Sequence, residues 1–239
     1  MQKEFCSQVI LDLKGRRVGV KFIRNHLARR IIMRLDQDPE KTEDGIAITL
    51  PSRTSVEHGL NFVEDKIDWI LKRLDGLAPR IPLKDGSLVP LGGVNHIISH
   101  APEKRGLVWV EGHKIFVPGR IEHLKRRARD WFIEEARDRI QLKVYEKTSV
   151  LGNKPGRIKI RDTKSRWGSC SYNGNLSFSW RLVMAPESIL DYVVAHEVSH
   201  LVEHNHSPKF WELVSSLTEN MIESRKWLKI NGEGLHRIG

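Results

Sequence analysis

Residues 189–200 read ILDYVVAHEVSH, an almost wholly apolar turn that runs straight into two histidines four positions apart, with a glutamate after the first. No other stretch constrains the fold as much. The segment needs a helix with a core on its ILDYVVA side that presents His196 and His200 together. Positions i and i+4 of a helix share a face about 6 Å apart along the axis, so both imidazoles can reach one ion. Glu197 points about 100° around the helix from His196, which sets its carboxylate beside a water on that ion without joining the ligands. Neutral imidazoles suit Zn²⁺, which lowers the pKa of a bound water, and a nearby carboxylate can take the proton. The plainer reading, two surface histidines on an amphipathic helix, fits poorly with so apolar a preceding turn.

A catalytic zinc needs a third protein ligand and an open position. His204 continues the i+4 series but lies about 12 Å along the axis from His196, too far for the same ion while the helix stays straight. His206 reaches the ion if the chain turns before Ser207-Pro208, with Asn205, which tolerates left-handed geometry, as the pivot. The 196/200/206 spacing equals that of metzincins, but Glu203 stands where their turn glycine would be. The competing third ligand is a carboxylate from farther along, Glu219 or Glu223.

The rest of the chain supplies a frame for this helix. Residues 9–51 are strand-like, with Val18, Val20 and Phe22 alternating with polar or small residues and further runs at 31–35 and 46–50; the polar stretch 36–45 reads as a loop. Ser52 or Thr54 caps one helix carrying Val56, Leu60, Val63, Ile67, Ile70, Leu71 and Leu74. Strand runs at 96–99, 107–110 and 114–117 complete a first half expected to be an antiparallel sheet with one helix. After Pro118-Gly119 a long helix is expected over 121–147, with Leu124, Ala128, Trp131, Phe132, Ala136, Ile140 and Val144 inward and Lys125, Arg126, Arg127, Arg129 and Arg137 largely outward. A short strand follows at 157–161, then a hairpin, 167–172 and 175–183, turning at Asn173-Gly174. The metal-site helix is expected to run from Pro186 to about His204, and a last helix to start at Ser207-Pro208. No internal repeat is visible. The expected organisation is α+β, a β-rich N-terminal lobe (1–119) with one helix and a C-terminal lobe (120–239) built on the HExxH helix.

Composition excludes several classes. No apolar run approaches the roughly 18–20 residues of a membrane span, and the N-terminus lacks a secretory h-region. Two cysteines, Cys6 and Cys170, are too few for a disulfide framework, which favours a reducing cytoplasm. Lys+Arg 40 against Asp+Glu 30 leaves a net charge of +10. Such a balance attracts nucleic acid or acidic protein without choosing between them. His96 and His100, about 13 Å apart on a strand, do not form a second metal pair. Cys170, Trp167 and Trp211 read as packing residues.

The strings SRWGSCSYNGNLSFSWRLVMAP, LDYVVAHEVSHLVEHNHSPKFW and RKWLKING closely resemble the YgjP-like metallopeptidases, zinc-dependent hydrolases related to the SprT-like proteases. The resemblance extends over almost the whole chain, including WILKRL and PLGG, and is most specific in the last third. It implies a zincin-like fold, one Zn²⁺ per chain on His196, His200 and His206, and Glu197 as catalytic base and acid. The activity it implies is hydrolysis of a peptide or protein substrate. Arg166, His204 and Tyr192 are candidate donors to the oxyanion or substrate, and the arm 175–181 is the candidate sheet edge for a substrate strand. The alternative function is a basic nucleic-acid-binding module with a structural zinc site, contacting phosphates through Lys125 to Arg129.

Overall fold

The computed structural model describes residues 3–36, 44–163 and 166–239. The chain forms two compact units, residues 1–78 and 79–239. The boundary expected at residue 119 therefore falls inside the second unit, because the strands between 88 and 118 share their core with the C-terminal helices.

In the first unit, β1 (Lys3–Leu13), β2 (Arg16–Asn25), β3 (Ile32–Asp36) and β4 (Gly45–Leu50) form one sheet in the order β1-β2-β4-β3. The outer pairs are antiparallel and the central β2–β4 pair is parallel. Most of the loop expected at 36–45 lies outside the described residues. Val18, Val20, Phe22, Ile46, Ile48 and Leu50 are fully buried, as their alternation requires. They pack with Val63, Ile70 and Leu74 from two helices, α1 (Val56–Glu64) and α2 (Ile67–Asp75). Ser55, not Ser52 or Thr54, caps α1, its hydroxyl accepting from the His58 amide at 3.1 Å. The single helix expected here is broken at Asp65-Lys66.

The second unit opens with β5 (Leu88–Leu91), β6 (Val94–Ala101), β7 (Trp109–Glu111) and β8 (Lys114–Pro118), ordered β5-β6-β8-β7. Again the outer pairs are antiparallel and the central one is parallel. The two sheets thus repeat one topology, which the sequence hides, and neither is the purely antiparallel sheet expected. Helix α3 (Leu124–Leu151) follows, with the expected face buried except for Trp131, which is only half-buried against the core, and Gly152 in left-handed geometry (φ 66°) closing its end. A small sheet is ordered β10-β11-β9, from β9 (Ile158–Arg161), β10 (Gly168–Cys170) and β11 (Leu176–Ser179). Three helices end the chain, α4 (Glu187–Ser199), α5 (Pro208–Leu217) and α6 (Met221–Leu235).

Several expectations about the hairpin change here. Only Gly174, not Asn173, has positive φ (70°), and its amide closes the turn on the Ser171 carbonyl at 2.8 Å. Strand β11 stops at Ser179, and residues Trp180–Met184 coil into a fully buried 3-10 turn. Alternation predicts Arg181 on a polar face, but it lies inside, donating to the Ile238 carbonyl at 3.0 Å, pairing with Asp162 and stacking 4.3 Å over Trp180. The Gly92 and Gly93 amides bind the Val183 and Met184 carbonyls at 2.8 and 3.0 Å, tying the β5–β6 hairpin to the turn before α4. No helix among the described residues is long and apolar enough to cross a membrane.

Candidate metal centre

Helix α4 is seated by Ile189, Leu190, Val193, Val194 and Val198, all buried against α3, α5 and the small sheet. It ends five residues earlier than expected. The Ser199 hydroxyl donates back to the Ala195 carbonyl at 2.7 Å, and the Leu201 and Val202 amides close tighter three-residue turns on Val198 and Ser199. His200 is therefore the residue that caps the helix end, and the chain is already turning at Leu201. This early stop, rather than a left-handed Asn205, returns His206 to the site: Lys14 is the only non-glycine with positive φ among the described residues. Ser207 then caps α5 by accepting from the Phe210 amide at 3.3 Å, with Pro208 at the first helical position.

The result is a cluster in which one ring nitrogen each of His196, His200 and His206 lie within 4.8 Å of one another. The Nε2 atoms of His196 and His206 are 3.2 Å apart. Two nitrogens about 2.0–2.1 Å from a tetrahedral Zn²⁺ sit roughly 3.3 Å apart, so the spacing suits a shared ion. His200 Nδ1 lies 3.0 Å from the Glu203 carbonyl, a bond in which the nitrogen donates; that fixes the ring and leaves Nε2 to the metal. Burial, followed by the neighbouring His200, His206 and Arg225, pushes His196 down to about 4, and burial also lowers His200. Both rings are thus neutral at ordinary pH, the state a metal ligand requires. The aromatic floor is Phe210, 4.5–5.0 Å from all three rings, with Trp211 5.5–5.7 Å from His196 and His206. Trp211 is thus a wall of the site and not only a packing residue.

Glu197 is buried at 7% exposure, beside the cluster and against β10. A Cβ on Gly168 would stand 2.5 Å from Glu197 Cγ and 2.6 Å from Oε1, so only glycine lets the strand pass. Burial lifts the Glu197 carboxyl to about 7, with Arg166 pulling the other way. A carboxyl near neutrality can both accept and return a proton. Cys170, on the same strand, is pushed up to about 11 by burial and by Glu197, so its thiol stays protonated and is no nucleophile.

The other candidates separate. Tyr192 is buried with its ring 6.1 Å from His196. Arg166 is close enough to influence Glu197. His204 is exposed and stacks at 5.2 Å on Tyr172, outside the cluster. Glu219 and Glu223 do not join the three histidines among the described residues; Glu219 lines a different cavity with Lys143 and Lys147. The sequence reading missed Arg225. It lies 4.4 Å over the Trp211 ring and influences both His196 and Tyr192. A ring nitrogen of His96 lies 2.8 Å from the Val94 carbonyl, and one of His100 lies 2.7 Å from the Gly119 carbonyl.

The arm 175–181 is not a sheet edge, because β11 lies between β9 and β10. The edge beside Glu197 is β10. The Ser179 amide bonds the Trp167 carbonyl and the Ser171 amide bonds the Asn175 carbonyl, both at 2.9 Å, so odd-numbered residues face β11. By the alternation of an antiparallel ladder, the backbone groups of Gly168 and Cys170 face outward. The basic cluster on α3 is largely engaged. Arg126 pairs with Asp130 and Arg129 with Asp162, while Arg127 donates to the Gly106 carbonyl.

The profile of the YgjP-like metallopeptidase domain matches residues 34–231. The chain belongs to the YgjP-like metallopeptidase family. The matched span includes every residue of the cluster, Glu197 and the β10 edge. No curated protein and no solved structure matches the chain.

Proposed function

We propose that this family member is a zincin-like, zinc-dependent metallopeptidase, holding one ion per chain on His196, His200 and His206 and working in a reducing cytoplasm. The observation that carries the reading is the juxtaposition of three converging imidazoles, a buried glutamate poised near neutrality and an open strand edge beside it. Zinc, when bound, supplies the Lewis acidity that makes a water nucleophilic and polarises the scissile carbonyl. Glu197 accepts the proton of the attacking water and passes it to the leaving amine. The outward N–H and C=O groups of Gly168 and Cys170 hold the substrate backbone as an added strand, setting the scissile bond beside Glu197. Tyr192 and Arg166 are the candidate donors to the developing oxyanion. His204 has no part in this mechanism.

The test pairs metal analysis with an unbiased peptide-cleavage screen. Glu197→Gln should retain about one zinc per chain and lose roughly 10²–10⁴-fold in turnover. Wild-type turnover in that variant would rule the mechanism out.

A further inference from the structure

The outer face of the small sheet is a groove of about 710 Å³ lined by residues of β9, β10 and β11. Its floor is small and polar, with Ser169 of β10 opposite Ser177 of β11, and Ser177 opposite Lys159 of β9. Its far wall is cationic. Arg157, Lys159 and Arg161 stand along or beside β9, and Arg166 closes the end near Glu197. All four are exposed, and among the described residues none has a carboxylate partner and no acidic residue lines the groove. Asp162, the one carboxylate nearby in sequence, is held by Arg181 and Arg129.

We propose that this groove selects peptide substrates bearing Asp or Glu within a few residues of the scissile bond; the inference rests on the peptidase reading and names its substrate class. Neighbouring strands lie about 4.8 Å apart, so β9 is roughly 10 Å from β10, within reach of extended Lys and Arg side chains over a floor of serines. A substrate strand on β10 turns every second side chain toward that face, where acidic groups meet the cations. An extended nucleic acid strand is the less fitting occupant. Among the described residues no aromatic ring lines the groove to stack bases, whereas the outward amides and carbonyls of β10 match a peptide backbone.

The experiment digests a proteome-derived peptide library with the zinc-loaded full chain and reads the cleaved bonds by mass spectrometry. Asp and Glu should be enriched near those bonds, less so in Lys159→Gln/Arg161→Gln. The enrichment should turn to Lys and Arg in Lys159→Glu/Arg161→Glu. Cleavage without acidic enrichment, or enrichment unchanged in both double variants, overturns the groove assignment and leaves the peptidase reading intact. A second arm does not depend on turnover. A labelled Glu-rich peptide should bind the Glu197→Gln protein about tenfold tighter than its Gln counterpart, as expected of a few half-exposed charge pairs. The preference should fall as salt rises. Equal binding of the two peptides, or preference for a single-stranded oligonucleotide of the same length, overturns the proposal. Selective binding of the Glu-rich peptide with no cleavage of any library member would keep the groove and discard the peptidase.

Discussion

Gly168 has no side chain because Glu197 occupies the place where one would sit. Gly168→Ala must push the carboxylate or the strand aside, and a misplacement of about 1 Å in a catalytic group costs on the order of 10²-fold. The expected outcome is a kcat lower by about that factor with zinc content unchanged, measured by steady-state kinetics beside elemental analysis; undiminished kcat would show that the strand does not position the base. His206→Ala makes the opposite separation. It removes the one ligand contributed from beyond α4 and its cap, so zinc should fall well below one per chain while the buried core stays folded. Far-UV circular dichroism and metal analysis on the same sample check both halves. At this scale the sequence was informative where chemistry is local. His196, Glu197 and His200 are fixed by one helix, whereas Gly168 and Arg225 meet the site only through tertiary packing that no spacing encodes.

Helix α6 shows why whole elements escape a reading of periodicity. Its fully buried positions are Ser224, Gly232 and Leu235, two of them too small to mark an apolar stripe. The residues 180–184 mislead in the other sense, since their apolar alternation continues that of β11 although the chain has already coiled into a buried turn. The central place of β11 depends on its parallel pairing with β9, a long-range choice invisible in either strand alone. The end of α6 also carries a pH-sensitive contact. His236 stacks on Trp167 at 4.2 Å, and burial, followed by Arg181, pushes it down to about 4. The unfolded chain takes up this proton near pH 6.5 while the folded chain refuses it until about 4. The contact therefore costs no stability above about pH 6.5, weakens the fold progressively as pH falls, and levels off below 4. His236→Phe keeps the stacking without the proton. It should lose less thermal stability than the wild type between pH 6.5 and 4; parallel melting profiles of the two would refute the assignment.

Two four-stranded sheets with one topology and two separate apolar cores divide the whole molecule unequally. Among the described residues, the first core gathers ten buried ones from β1, β2, β4, α1 and α2 and none from a later element; the second includes every helix of the metal site. The metal should consequently stabilise one unit and not the other. A ligand present at a thousand times its Kd adds about 4 kcal/mol to the form that binds it, which for a unit of residues 79–239 corresponds to roughly 10 °C in Tm. Tryptophan reports almost entirely on that unit, because of the seven in the chain only Trp69 belongs to residues 1–78. Chelation should lower the transition followed by tryptophan fluorescence by roughly that amount, while calorimetry retains a second transition at its original temperature. A single calorimetric transition that moves as a whole would mean that the two cores melt together and that the metal holds the entire chain.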